Sequence, residues 1–576
     1  MFTEQNLKTP WLKSYGEIPF HLEYPQCSMV EFVEQSAAKT PDLIAYEFMG
    51  KRVKYSKLVE EIDLTARSLA ALGIRPGDIV TVCMPNCPQG LHAFYALNKI
   101  GAIATMIHPL SAEGEIKYYL NDTGSKAIIT LEQFYGKVSN IIKETKVRHV
   151  ILSSIADGLP AVKALLYPYT AGKNIPKVPK GADKVLWWKD LLKMGKAYTG
   201  NYIMPLGKDD PAVILYSGGT TGVSKGILLT SYNFNALACQ TVTAGDCVKP
   251  GMSMLAIMPL FHGFGLGVSV HTILTHNCRC ILVPQFNANS YAQLLKKQQP
   301  NLIAGVPTLY EALLRNPYLE GVDLSCLKAM FSGGDSLSVE LKRKVDKFLR
   351  EHGAHIQVRE GYGTTESVTA CCLTPKDAYR EGSIGLPFPD TYMKIVKPGT
   401  EEEVPYGEEG EICIHGPTVM VGYLNHPEET AQSLRTHPDG AVWYHTGDLG
   451  TQDADGFIYF KQRLKRMIVS SGYNIYPSQL ENIIDGHPAV SMSTVIGVPD
   501  PYKMQKVKAF VVLREGQEPT EEVKNSILEH CRKNIAKYAM PYEFEYRKEL
   551  PKTLVGKVAF TVLEKEEAEK VKNQQK

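Results

Sequence analysis

The sequence is short of several features at once, and each shortage narrows its class. Tryptophan occurs only four times in 576 residues, and the twelve cysteines form no repeated Cys-x-x-Cys pair and join no histidine at a zinc-like spacing. Reduced, mostly buried thiols in a cytoplasmic protein are therefore expected. No sign of charge dominates: 63 Lys and Arg face 61 Asp and Glu, a net charge of +2, which excludes a global attraction to nucleic acid. Met1-Phe2-Thr3-Glu4-Gln5 opens without an apolar h-region, so no secretory signal is expected there. The longest uncharged stretch, 250–278, holds Pro259, several glycines and three histidines, and reads as buried core or pocket wall rather than a membrane span. No repeat of fixed period is visible.

What is present is an alternating texture. The length exceeds what one hydrophobic core supports, so two or more domains are expected. Leu58, Ile62, Leu69 and Leu72 mark one face of a helix that Gly73 ends. Residues 79–84 read as a buried strand, Leu91, Phe94, Leu97 and Ile100 as a second helix, and 102–106, 127–130 and 149–153 as further strands. This alternation predicts an α/β fold with largely parallel sheets. From about residue 380 short strands with turns take over (393–396, 410–415, 457–460), giving a β-rich subdomain to 464. A new α/β pattern begins at Lys465-Arg466, with a strand over 507–513 and a helix over 521–532, which places a domain boundary at Lys465. The charged tail after Leu563 is expected to fray.

The most informative stretch is Tyr216-Ser217-Gly218-Gly219-Thr220-Thr221-Gly222-Val223-Ser224-Lys225-Gly226. An apolar run delivers the chain into glycines, hydroxyls and one lysine. Glycines bring backbone N–H groups close to a ligand, and amides, hydroxyls and an ammonium together suit a polyphosphate. The lysine stands three places after Gly222 with no hydroxyl behind it, so this is not a Walker loop. The plain alternative is a Ser/Gly-rich surface turn. Further runs end in Pro259-Leu260-Phe261-His262-Gly263-Phe264-Gly265, Ser332-Gly333-Gly334-Asp335 and Gly361-Tyr362-Gly363-Thr364-Thr365-Glu366, the expected place for functional loops. A different texture fills 161–200, where eight lysines face only Asp183 and Asp190 among Tyr167, Tyr169, Trp187 and Trp188. It reads either as a segment resting on an anionic membrane surface or as a solvated insertion.

With these loops in order, the chain resembles the adenylate-forming superfamily of acyl-CoA synthetases, adenylation domains and beetle luciferases. The matching motifs also include Tyr444-His445-Thr446-Gly447-Asp448, Arg463-Leu464-Lys465 and Pro551-Lys552-Thr553-Leu554-Val555-Gly556-Lys557. The resemblance implies a large N-terminal domain (1–464) of two stacked α/β subdomains plus the β-rich one, and a small mobile α+β domain (465–576). It implies ATP, Mg²⁺ and coenzyme A. Ser217, Gly218, Gly219, Thr220, Thr221, Gly222 and Lys225 would hold the β/γ-phosphates, and Glu366 with Thr221 the Mg²⁺. Gly333, Gly334, Gly361, Tyr362, Gly363, Thr364 and Thr365 would frame the adenine, and Asp448 with Arg463 the ribose. Lys557 would act in adenylation, Lys465 would be the hinge, and Gly472 would shape the pantetheine tunnel after the swing. His262 would sit at the carboxylate.

This sequence departs from the family pattern in places. Gly218 replaces a hydroxyl, Ser224 a proline, Gln462 a glycine before the arginine, Arg466 an acid after the hinge, and Phe560 a basic residue three places beyond Lys557. No acid lies between Lys249 and Arg279, which disfavours an amino acid substrate, and no tryptophan plugs the region as in acetate-specific relatives. Phe261, His262, Phe264, Gly265, Gly305 and Val306 are expected to form an acyl pocket with an apolar wall, in which each buried CH₂ contributes roughly 0.8 kcal/mol. Overall length and the basic-aromatic insertion look most like bacterial long-chain fatty acyl-CoA synthetases. A medium- to long-chain fatty acid is the expected partner, with an aryl or other bulky acid, or delivery to a carrier protein, as alternatives. A cytoplasmic location, with or without contact at the inner membrane face, follows from the same resemblance.

Overall fold

The computed structural model describes residues 7–205, 207–216, 224–285, 287–470, 473–500, 502–553 and 557–574. Two large sheets carry the first part of the chain. The eight-stranded one is ordered Gly422–Tyr423, Gly226–Thr230, Pro211–Tyr216, Ile103–Met106, Ile79–Cys83, Ala127–Leu131, His149–Ser153, Val185–Trp187. Its pairings are parallel from Pro211–Tyr216 to Val185–Trp187. The nine-stranded sheet runs through Val358–Tyr362, Ala329–Ser332, Leu302–Gly305, Ser253–Ala256 and Arg279–Leu282, again parallel, and takes Ile44–Phe48 and Lys51–Lys54 from the N-terminal part of the chain at one edge. These strands are the apolar runs read from the sequence. Because both faces are covered, they lack a polar alternation.

The helix Pro88–Lys99 is buried along all twelve residues, as one shared core cluster with strands of both sheets requires. Most of its polar groups are engaged, the Gln89 Oε1 being left without a hydrogen-bond partner among the described residues. Asn98 accepts from the Val30 N–H at 3.0 Å, and Lys99 meets Glu34 and Asp63 at 2.8 and 2.9 Å. Gln89 donates to the Ser154 carbonyl. Such pairing is what makes burial of these groups tolerable.

The β-rich part is a five-stranded antiparallel sheet built from Tyr392–Val396, Gly410–His415, Leu434–Thr436, Val442–Gln452 and Ile458–Arg463. After it comes a separate α+β unit with its own core, from Ile468 and Ile475 to Ile535 and Ala539, on a second five-stranded sheet.

Two expectations are corrected. The tail does not fray after Leu563: Phe560–Gln574 is a helix, with Leu563 fully buried against Ile496, Val498 and Phe510. The lysine that holds it, Lys508, is only 2% exposed and pairs with Glu543, Glu545 and Glu567 at 3.1, 2.8 and 3.0 Å. The second correction concerns 161–200, which is not one surface segment. Trp188 is buried and heads a helix, Trp188–Ala197, that packs on Tyr55–Ala71. Gly195 is required there, because a Cβ would lie 2.1 Å from Ser68 Oγ.

Removing Lys508 takes the buried cation from three carboxylates, of which Glu545 keeps Arg547 and Lys570 and Glu567 keeps Lys570, so Lys508→Ala is expected to destabilise the C-terminal unit by about 1–3 kcal/mol. Hydrogen exchange at the Met504–Leu513 amides measures this, and unchanged protection there would contradict it.

Candidate active site

Three neighbouring parallel strands end side by side and aim their loops at one cleft. Leu302–Gly305 delivers Val306, Ala329–Ser332 delivers Gly333, Gly334 and Asp335, and Val358–Tyr362 delivers Gly363 through Glu366. The glycines are here for closeness. A Cβ on Gly333 would lie 3.3 Å from the Gly361 carbonyl and 3.6 Å from the Phe264 ring, and one on Gly363 would lie 2.2 Å from the Thr369 carbonyl. Gly334 has φ +80°, and the Lys557 side chain lies across it, its Cε 3.5 Å from where a Cβ would stand, beside Val306. Lys557 thus comes from the C-terminal unit into the cleft of the large one. Its turn is fixed by hydrogen bonds exchanged with Thr553, whose Oγ1 accepts from the Lys557 N–H at 3.1 Å and whose N–H donates to the Lys557 carbonyl at 2.7 Å.

Asp448 stands opposite Arg463 in the strand register, with an ion pair at 3.3 Å, and accepts from the Tyr362 hydroxyl at 2.8 Å. Burial lifts the Asp448 carboxyl above its ordinary range, while Arg463 and Tyr362 oppose that. On the other side Tyr423 joins two charges. Its hydroxyl donates to Glu366 at 3.0 Å, and the Lys225 ammonium sits 4.4 Å from its ring centroid. Tyr423 was not singled out in the sequence, and no local signal marks it. It reaches the site because the short strand Gly422–Tyr423 pairs with Gly226–Thr230, some two hundred residues earlier.

Ser217, Gly218, Gly219, Thr220, Thr221, Gly222 and Gly472 lie outside the described residues, as does the side chain of the hinge candidate Lys465, whose backbone is in the turn Leu464–Arg466. Both ends of the first loop are anchored by the helix Glu113–Thr123. Tyr216 donates to Asp122 at 2.7 Å, and Tyr118 donates to the Ser224 carbonyl at 3.0 Å.

The 259–262 turn is tied down by Asn86, another residue missed, which donates to the Ala256 and Met258 carbonyls and accepts from the Leu260 N–H. His262 Nδ1 accepts from the Phe264 N–H at 3.2 Å. Burial, with Lys557 adding to it, pushes the imidazole down to about 3, so His262 is neutral at physiological pH. Phe261 packs on His108 with centroids 4.2 Å apart. Gly265 and Gly305 do not leave open room for a ligand. A Cβ on Gly265 would lie 2.1 Å from the Pro259 carbonyl, and one on Gly305 would lie 2.3 Å from Leu309 Cδ2. Their role is close packing under the wall, and Phe264, Val306 and Phe261 supply the wall.

Three cations, Lys225, Arg463 and Lys557, and three acids, Asp335, Glu366 and Asp448, therefore share one cleft. Asp335 is exposed and Lys557 half-buried, yet surrounding protein atoms desolvate both groups, as at the lip of a cleft. A polyphosphate with its cation fits such a balance. Glu366 offers the oxygen donor a hard divalent ion takes, and a buried acid like Asp448 suits a vicinal diol.

Fold and cleft together define an enzyme that handles a nucleotide and its phosphates between a large and a small domain. The chain belongs to the AMP-binding enzyme family: the AMP-binding enzyme model matches residues 33–424, and that of the AMP-binding enzyme C-terminal domain matches residues 479–557. It is similar to a long-chain-fatty-acid–CoA ligase of Bacillus subtilis (strain 168), 36% identical over 569 residues, 97% of this chain and 98% of that one. An Escherichia coli O6:H1 ligase of the same name is 33% identical over 578 residues, 98% and 100% of the two chains. A feruloyl-CoA synthase of an Amycolatopsis species is 30% identical over 524 residues, 91% and 95%. Among solved structures, ATP-bound MatB from Rhodopseudomonas palustris superposes with a TM-score of 0.79 at 26% identity, over 93% of this chain and 98% of that one.

Burial pulls the Lys557 ammonium below its usual range, Asp335 opposes this and Arg463 adds to it. Removing the Asp335 charge lets the lysine fall further. For a step that needs charged Lys557, Asp335→Asn is expected to move the alkaline limb of the pH–rate profile to lower pH. The profile of ATP-dependent pyrophosphate release checks this, and an unmoved limb would show that Asp335 does not act on Lys557.

Proposed function

We propose that the chain is an ATP-dependent fatty acid–CoA ligase for medium- to long-chain acids. The observation that carries this reading is Lys557 lying against Gly334, between the phosphate-side cations and an apolar wall. Likeness to curated fatty acid ligases along nearly the whole chain supports the choice of acid.

In the first half-reaction a carboxylate oxygen attacks the α-phosphorus of ATP, forming the acyl-adenylate as the bond to pyrophosphate breaks. Two anions approach, so fixed cations do the work. Lys557 would meet the carboxylate and α-phosphate oxygens, and Lys225 with the 217–222 loop the β/γ-phosphates. Neutral His262 would hydrogen-bond the carboxylate without adding charge. Tyr362 would cover the adenine between the Gly333-Gly334 and Gly361–Thr365 backbones, while Asp448 and Arg463 take the ribose. Glu366, with Thr221, would hold Mg²⁺, which supplies charge neutralisation on the phosphates. In the second half-reaction the thiol sulfur of coenzyme A attacks the acyl carbon and AMP leaves. That step needs Lys557 withdrawn, so we assign residues 465–576 as a mobile lid that turns at Lys465 and brings Gly472 to the pantetheine.

The relative named feruloyl-CoA synthase favours an aryl acid as the second reading. Pyrophosphate release and CoA consumption, scanned from acetate to stearate with benzoate and cinnamate, separate the two. An optimum at ten or more carbons supports the first, and a ring optimum the second. Lys557→Ala is expected to abolish pyrophosphate formation while sparing thioester formation from supplied acyl-adenylate. Equal loss of both would refute the division of roles.

We also propose peripheral contact with an anionic membrane through 161–187. Val162, Leu165, Leu166, Tyr169 and Trp187 are exposed, with Lys163, Lys173, Lys177 and Lys180 exposed beside them. Apolar side chains among lysines suit a negatively charged interface. Val162→Ser/Leu165→Ser/Tyr169→Ser should lower partitioning onto phosphatidylglycerol vesicles several-fold, and unchanged partitioning would restore the solvated-insertion reading.

A further inference from the structure

The β-rich sheet holds a second cluster of chemistry, away from the nucleotide cleft. Cys413, His437 and His445 are all buried, and one ligand atom from each lies within 4.8 Å of the other two. Cys413 and His445 face each other across neighbouring strands. His437 comes from the turn joining Leu434–Thr436 to Val442–Gln452. The sequence has no zinc-like spacing, and positions 413, 437 and 445 would never form one. Cross-strand register brings them together.

Two observations point to a ligand rather than to packing. First, His445 Nδ1 donates to Glu411 Oε2 at 2.9 Å, which fixes the tautomer and leaves the Nε2 lone pair facing His437. A carboxylate behind a histidine in this way is the usual support of a metal ligand. Second, the two Nε2 atoms stand 2.8 Å apart, so two imidazole nitrogens already meet beside the Cys413 thiol, and His437 Nδ1 has no hydrogen-bond partner among the described residues to hold that ring in its present place.

The charges agree. Glu411, Glu401 and Asp439 oppose Lys394 and Arg435 around the group, a formal −1, and an ionised Cys413 makes it −2, which a divalent ion cancels. A site of this kind binds through a thiolate and neutral imidazoles, so taking up an ion here would release the Cys413 proton. Sulfur and imidazole donors select zinc-class ions over magnesium. Ligand atoms around zinc stand about 3.3–3.6 Å apart, so the imidazoles need only separate slightly from their present 2.8 Å.

We propose that Cys413, His437 and His445 form a binding site for a zinc-class divalent cation, with Glu411 as the positioning residue behind His445. The site is structural for the nucleotide cleft. Glu411 Oε1 also accepts from the Gly447 N–H at 2.9 Å, next to Asp448, so an ion there stiffens the turn that presents Asp448 without touching substrate.

The test is titration of chelator-stripped full-length protein with Co²⁺ and Zn²⁺ in excess Mg²⁺, which occupies the hard-ion site. One equivalent of Co²⁺ should bind with a thiolate-to-cobalt charge-transfer band, displaced by Zn²⁺. Trp443, whose ring lies 5.8 Å from that of His437, should be quenched in step. Cys413→Ser should remove the band, and His437→Gln should weaken binding at least tenfold, with Cys239→Ser unchanged. Wild-type protein that binds no stoichiometric Co²⁺, or binds it without the thiolate band, overturns the proposal even if a variant fails to fold. So does full affinity in His437→Gln.

Discussion

A single ammonium crossing between two folded units sets the terms for the rest of this structure. Lys557 sits on the small unit, yet it ends over Gly334 in the large one. A desolvated charge is unfavourable unless paired or balanced, and the opposing charge comes from Asp335, beside Gly334. The glycine pair is needed for a related reason. Any side chain at 334 would face both a positive φ and the space the lysine occupies. The strand end, the acid and the glycines all serve one arrangement, in which a cation carried by the small unit is received over Gly334 of the large one. The lysine has no close ion pair of its own among the described residues, as the proposed withdrawal of this group would require.

Two residues that depart from the family pattern meet each other. Arg466 takes the place of an acid after the hinge, and Phe560 that of a basic residue beyond Lys557. The Arg466 guanidinium lies 4.6 Å from the Phe560 ring centroid and pairs with Glu481. The charge lost at 560 and gained at 466 has become one stacked contact, worth roughly 0.5–2 kcal/mol by its class. It ties the C-terminal helix to the segment next to Lys465. Each change alone breaks a pattern, and together they read as an exchange of one interaction for another.

The motif loops were legible because their constraint is local. A backbone that must approach a ligand needs glycine, and a phosphate needs amides, hydroxyls and cations in one short stretch. The parallel strands were legible because burial on both faces leaves an uninterrupted apolar run. Tyr423 and Glu411 were not, since each acts through a partner that strand pairing brings to it, nor was Asn86, which bridges from one large sheet to the other. Two misreadings share a cause as well. Trp188 and the tail helix carry charged neighbours that look solvated in one dimension. In the fold, Lys508 ties Glu567 of the tail to a buried centre shared with Glu543 and Glu545, and Trp188 turns inward while its lysines stay outside.

The site is also distributed in a way that constrains the order of events. Glu366 hangs on the nine-stranded sheet, and its partner Tyr423 on the eight-stranded one. Asp448 and Arg463 belong to the β-rich sheet, and Lys557 to the C-terminal unit. The first three are joined through a common core or by short contacts such as that of Tyr362 with Asp448, so they form a standing nucleotide platform. Only the last cation arrives on a separately folded unit with a core of its own. On the proposed function, a platform complete but for one charge would bind its nucleotide without reacting, and chemistry would wait on the position of the small unit.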